Sequence, residues 1–185
     1  MKHKICVRNF TKLCLKDSIR VLNQRNSLNI RSKMANTNII SFNEHMNFCK
    51  NLYNNSEKLY FLIYFDGEPI AVIDFQSINN INHSYEPGCY FFDSCNNSID
   101  RTNIMSVTAF VRKKYKLYYP FIKVRKTNLQ ALLFNTMKMG CEIDCEDDNY
   151  YYLKTSEPQE IRSLENMLDE TINRMNQEFY ITLEY

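Results

Sequence analysis

Apolar positions along this chain follow two rhythms, and the switches between them mark its elements. Residues 4–7 alternate weakly and predict a short strand. Residues 11–26 carry Leu15, Ile19 and Leu22 at the spacing of a helix face. Ser41 and Glu44 form a capping-box pattern ahead of a second helix. That helix places Phe42, Met46, Cys49 and Tyr53 on one face, with His45 and Leu52 flanking the stripe, and Asn54-Asn55-Ser56 ends it. Two nearly unbroken apolar runs, Leu59–Phe65 and residues 69–77, flank Asp66-Gly67 and predict a hairpin covered on both faces. Residues 84–92 predict a third antiparallel strand. Pro87 within it removes a ladder donor, so a bulge or splay is expected at Pro87-Gly88.

Residues 99–115 predict a helix with Ile104, Val107, Thr108, Val111 and Tyr115 facing inward, and residues 117–124 a strand. Residues 127–139 predict a helix with Leu129, Leu132, Leu133 and Met137 on one face and Gly140 just past its end. Residues 141–145 and 150–153 read as a closing pair of strands. Ser156 is expected to cap a last amphipathic helix with Ile161, Leu164, Leu168, Ile172 and Met175 in register, and residues 179–183 to add an edge strand. This order predicts an α/β (α+β) fold: a mixed, mostly antiparallel central sheet flanked by helices, with an extra C-terminal helix. Residues 1–155 are expected to form the main domain, and 156–185 a helical extension packed on it.

At 185 residues the chain suits one sizeable core. A net charge of +2 gives no reason to expect a nucleic-acid partner. No apolar run approaches a membrane span, and Met1-Lys2-His3-Lys4-Ile5-Cys6 lacks a signal-peptide core, so the expected location is the cytoplasm. Seven cysteines, an odd number, point to free thiols in a reducing compartment. Cys141 and Cys145 have no histidine nearby, so no metal site is expected. Gly67, Gly88 and Gly140 are the only glycines, which excludes the usual dinucleotide and P-loop signatures.

The element order resembles the GCN5-related N-acetyltransferase (GNAT) fold. Within it, Arg25-Asn26, Met34, the Asn43–Phe48 stretch, Tyr60-Phe61-Leu62 and the Asp66–Phe75 stretch resemble the sugar-nucleotide N-acetyltransferases of the pseudaminic acid pathway. Thr127-Asn128-Leu129-Gln130-Ala131-Leu132 adds a weaker match. The resemblance implies acetyl-CoA as co-substrate and the 4-amino group of a UDP-linked amino-deoxy sugar as acceptor. It places a nucleotide pocket on Arg25, Met34, His45 and Phe48. Arg25 can pair with a diphosphate, Met34 and Phe48 can bed a base, and His45 can donate to a phosphate or ribose oxygen. The same four residues also suit a structural role, as core, surface pair and helix edge.

Two departures from the family pattern stand out. The loop that holds the CoA pyrophosphate is normally glycine-rich, whereas residues 93–103 here contain none. Cofactor contacts are assigned to Cys89, Phe91, Asn97, Ser98, Arg101, Thr102 and Asn128; an ordinary capped helix start is the competing reading of the loop. The family's tyrosine general acid is replaced by Asn135, an amide with no proton to give, which can only hydrogen-bond the leaving sulfur. For catalysis the resemblance then leaves Glu86 as the candidate base through water, Tyr90 to position substrate, and main-chain N–H groups near Cys89–Phe91 to polarise the carbonyl. A solvated carboxylate is the plain reading of Glu86. Neither Cys89 nor Cys95 has an adjacent histidine that would make it a nucleophile; His83 is the nearest. Competing functions are a non-catalytic binder of a nucleotide sugar or partner protein, and a transferase for a peptide amine. The apolar stripe of the last helix would also suit a homodimer.

Overall fold

The computed structural model describes residues 2–93 and 99–185. The assignments to Asn97 and Ser98, and the Cys95 reading, lie outside the described residues.

Strand β1 (His3–Asn9) leads through a short 3-10 turn into helix α1 (Leu15–Asn26), a single turn α2 (Leu28–Arg31) and helix α3 (Phe42–Asn51). Strands β2 (Leu59–Phe65), β3 (Glu68–Asn79) and β4 (Ser84–Phe91) form an antiparallel meander. Helices α4 (Arg101–Ser106) and α5 (Thr108–Tyr115) follow, then strands β5 (Tyr119–Pro120) and β6 (Ile122–Arg125) and helix α6 (Leu129–Leu133). Strands β7 (Glu142–Glu146) and β8 (Tyr150–Lys154), helix α7 (Ile161–Glu178) and strand β9 (Phe179–Glu184) complete the chain. The main sheet runs β5-β4-β3-β2-β1-β9, and β6-β8-β7 form a second, smaller sheet. This is the expected mixed, mostly antiparallel sheet flanked by helices. No helix among the described residues is long and apolar enough to cross a membrane.

Continuous apolar runs in β2 and β3 are explained by cover on both faces. One face sets Phe61, Ile63, Ile73 and Phe75 against Ile104, Val107 and Val111 of α4–α5 and Met175 of α7. The other sets Leu62, Tyr64 and Val72 against Val21 of α1 and Cys49 of α3. The hairpin turns at Asp66 (φ 48°) and Gly67 (φ 88°), both left-handed as a two-residue turn requires. The capping box on α3 forms, with Ser41 Oγ accepting from Glu44 N and Glu44 accepting from Ser41 N.

Several local expectations need correction. On α1 the covered positions are Asp17, Ser18, Val21 and Leu22, while Leu15 and Ile19 are exposed. Asp17 is held inside by the hydrogen bond it accepts from Tyr64 of β2. On α3 the buried positions are His45 and Cys49, with Leu52 just beyond, and Phe42 and Tyr53 are exposed. The segment 117–124 is not one strand: it leaves the main sheet at Phe121 and enters the second one. Helix α6 gives way to a π turn over Phe134–Lys138, and Leu129, Leu133 and Met137 are exposed; Ala131 and Leu132 make the packing contacts. The last helix starts at Ile161, with Glu160 and not Ser156 at its cap, because Pro158 interrupts the approach.

The expected bulge at Pro87-Gly88 is also displaced. Pro87 pairs in register with Phe75, and Gly88 with Asp74; the irregularity lies between Gln76 and Asn79, where Ser77 takes φ 49°. Main-chain groups alternate sides along a strand. Tyr85 O faces β5, accepting from Phe121 N at 2.7 Å, and Phe92 N faces β3, donating to Ile70 O at 2.8 Å. Pro87 therefore directs its missing donor away from β3, and the ladder loses nothing there.

Candidate active site

The same alternation defines an opening in the sheet. β5 pairs with β4 only at Ser84↔Tyr119 and Tyr85↔Pro120, after which the chain departs as β6. From Glu86 onward β4 is held on its β3 side alone among the described ladders. At the vertex Lys123 Nζ of β6 bridges to Glu86 Oε2 at 2.9 Å. Cys89 and Phe91 present their main-chain groups to the opening, while their side chains join the α4–α5 core. Such a wedge can admit an extended chain between two strands and offer it backbone partners.

On the opposite face of β4, towards α1 and α3, lies a buried polar wall. Tyr60, Asp74 and Gly88 stand opposite one another across β2, β3 and β4, with Gln76 opposite Glu86 one step along. Gln76 Nε2 donates to Asp74 Oδ1 at 2.7 Å. The Asp74 carboxyl leans onto the β4 backbone at Gly88, where any side chain would overlap it. Burial, with the negative charge of Glu86 nearby, pushes the Asp74 carboxyl up to about 6. Burial also pushes the Tyr60 and Tyr90 hydroxyls well above the usual phenol range, so both stay protonated. No described residue hydrogen-bonds either hydroxyl. Phe48 of α3 meets the Tyr60 ring edge-on at 5.0 Å, and Tyr90 stacks with Phe92 at 6.3 Å.

Arg25 closes this wall from the end of α1. Its Nη2 donates to Asn36 O at 2.7 Å, its Nη1 is buried without a partner among the described residues, and it lies within electrostatic reach of Tyr60 and Tyr90. A buried, unused guanidinium donor is costly unless something pairs with it, and a phosphate or carboxylate oxygen would. The segment after α2 spans the site: Arg125 Nη1 donates to Met34 O at 2.8 Å, and Lys33 Nζ to Gln130 Oε1 at 3.0 Å.

The structure thus brings Arg25, Phe48, Glu86 and Tyr90 to one wall, with Met34 on the segment above it. It places His45 elsewhere. That ring is 5% exposed between α1 and α3, with Nε2 3.7 Å from Cys49 Sγ, and burial lowers its pKa, so it is neutral. Burial pushes the Cys49 thiol up to about 11, the reverse of an activated cysteine–histidine pair. At the start of α4, Asp100 Oδ1 accepts from both Thr102 N and Thr102 Oγ1, so those two donors are already committed. Arg101 lies over the Phe91 ring at 4.9 Å. Asn128 caps α6 by accepting from Ala131 N, and Asn135 Nδ2 turns back to Ala131 O at 2.9 Å. Sequence reasoning gave no role to Asp74, Tyr60, Gln76 or Lys123. The signal for Asp74 was present, since it is the lone charge in the apolar run Ile70–Phe75.

No family model matches the chain. It is 28% identical over 157 residues to the acetyltransferase PseH of Campylobacter jejuni strain 81-176, covering 80% of this chain and 92% of that protein. Against PseH of a second C. jejuni strain it is 37% identical over 86 residues, 53% of that protein. The crystal structure of C. jejuni PseH superposes with a TM-score of 0.62, at 28% identity, over 80% of this chain and 95% of that one. A second PseH structure, in complex with acetyl coenzyme A, matches equally well. The chain has the GNAT fold. Two more distant members share its fold: a spermidine N-acetyltransferase from Vibrio cholerae (TM-score 0.67, 16% identity, 82% of this chain and 92% of that one) and FdhC, a nucleotide-linked sugar GNAT (TM-score 0.63, 19% identity, 95% and 97%). Among these proteins it resembles PseH.

Proposed function

We propose that this chain is an N-acetyltransferase that moves the acetyl group of acetyl-CoA to the amine of a nucleotide-linked amino sugar. Similarity to PseH along nearly its whole length supports the donor, as does the acetyl-CoA complex of that relative. The observation that carries the reading is the wedge between β4 and β5 lying beside a polar wall with an unpaired, buried guanidinium donor at Arg25.

In this reading the thioester enters the wedge, with the Phe91 amide directed at the acetyl oxygen, and Arg101 and Asn128 lie along the rest of the carrier. Arg25 pairs with the acceptor's diphosphate; Phe48 and Met34 bound the same pocket. Tyr90 positions the acceptor, whose amine must lose a proton as it attacks. Asn135 steadies the leaving sulfur with a hydrogen bond in place of proton transfer, a loss of general-acid help typically worth about 10²–10⁴ in rate. Turnover is therefore expected to be slow.

Thermal melting with acetyl-CoA and with UDP-sugars, added separately, tests the proposal. Each should raise the midpoint, by the equivalent of about 2.7 kcal/mol at a hundred times its dissociation constant. A shift with the UDP-sugar alone would replace the transferase by a non-catalytic binder. No shift with either would remove both.

A further inference from the structure

One buried group at the wall has no role in the reading above. Asp74 is 7% exposed on the central strand β3, and among the described residues its only hydrogen bond comes from Gln76. Among the described residues no cation forms an ion pair with it. Glu86, the other carboxylate nearby, already carries an ion pair with Lys123 at the vertex. Gly88 leaves room for the Asp74 carboxyl directly against β4, beside the residues whose backbone faces the wedge. A free carboxylate held against the reacting strand is a better proton acceptor than one tied to a lysine.

We propose that Asp74 is the group that accepts the proton of the attacking amine. The proposal rests on the transferase reading. The amine nitrogen forms its bond to the acetyl carbon, its surplus proton passes to an Asp74 oxygen, the C–S bond breaks, and the departing thiolate takes a proton from water. Asp74 then returns its own proton to solvent. The groups facing Asp74 are Tyr60 from β2, Gln76 on its own strand, and Glu86 and Tyr90 from β4, with Arg25 of α1 and Lys123 of β6 behind them. The two tyrosines stay neutral across the working range, and Glu86 is the neighbour whose charge adds to burial in raising Asp74.

The test is the pH profile of kcat/KM for CoA release by wild type, Asp74→Asn and Glu86→Gln. Wild type should lose rate as pH falls below about 6. Asp74→Asn should fall roughly a hundredfold or more at neutral pH and lose that acidic limb, while still binding acetyl-CoA. Glu86→Gln should keep the limb and move it to lower pH, because burial still raises Asp74 but the charge that adds to it is gone; this arm stands even if Asp74→Asn does not fold. An active enzyme whose limb survives Asp74→Asn, or vanishes in Glu86→Gln, overturns the assignment to Asp74 alone. A wild type that releases no CoA with any amino sugar nucleotide overturns the transferase reading, and the proton-accepting role with it.

Discussion

Two polar clusters lie on the same face of the same sheet, and they are built in opposite ways. Towards β9, Arg8 donates to Glu184 from Nε at 2.6 Å and from Nη2 at 3.2 Å, and from Nη1 to Tyr64 Oη at 3.3 Å. Tyr64 donates to Asp17 at 2.6 Å, and the Cys14 and Cys6 thiols donate to Asp17 and Glu184. Every charge there has a partner of opposite sign or a hydrogen bond. Towards β4, among the described residues, Arg25 has an unpaired donor, the Tyr60 and Tyr90 hydroxyls meet no hydrogen-bond partner, and Asp74 has one amide for company. A satisfied buried network fixes a structure, and an unsatisfied one sacrifices stability for groups kept ready to bind or react. The first cluster ties the C-terminal strand to β1 and α1. The second borders the wedge.

If this contrast is right, removing Asp74's charge should relieve the second cluster. An acid whose folded-state pKa is raised binds more protons folded than unfolded between its two pKa values. Its presence therefore lowers stability as pH rises from about 3.8 to about 6. Asp74→Asn should stabilise the protein at pH 7 by about 3 kcal/mol and leave it unchanged at pH 3, read from urea melts at both pH values. Equal stability at pH 7 would mean that Asp74 is better solvated than its burial indicates.

Gly88→Ala pushes a methyl group into that carboxyl and should destabilise by about 1–3 kcal/mol while lowering CoA release. In the first cluster, Tyr64→Phe leaves the Asp17 carboxylate short of a donor and should cost about 1–3 kcal/mol with activity kept. Tyr60→Phe, the matching change in the second cluster, removes a hydroxyl that no described residue hydrogen-bonds. It should alter stability by less than about 0.5 kcal/mol. Equal losses from the two phenylalanine variants would erase the distinction. Acid should also separate the clusters: Arg8 holds Glu184 below the usual carboxylate range, so its contribution is present above that range and is lost as pH falls, whereas Asp74 is least costly there.

The hairpin, the capping box and the strand-helix order were legible because each rests on local chemistry: Asp66-Gly67 fits a left-handed turn, Ser41 and Glu44 fit a helix start, and unbroken apolar runs demand cover on both faces. Helix faces were less legible. On α1 and α3 the apolar residues at helical spacing, Leu15, Ile19, Phe42 and Tyr53, turn out exposed, and polar Asp17, Ser18 and His45 lie inside. Tertiary hydrogen bonds, which periodicity does not register, decide those faces. Pro87 was read as a defect because sequence does not tell which side of a strand a missing donor faces. Asp74 was overlooked since its neighbours Tyr60, Gly88 and Tyr90 lie on other strands and meet it only after the sheet is in register.

The most direct test of the central claim is CoA release from acetyl-CoA with a UDP-linked 4-amino sugar as acceptor, each reactant omitted in turn. Release that requires both reactants, and that is abolished by the same sugar already N-acetylated at that amine, is the expected result. Tight binding of both reactants without any release would contradict it.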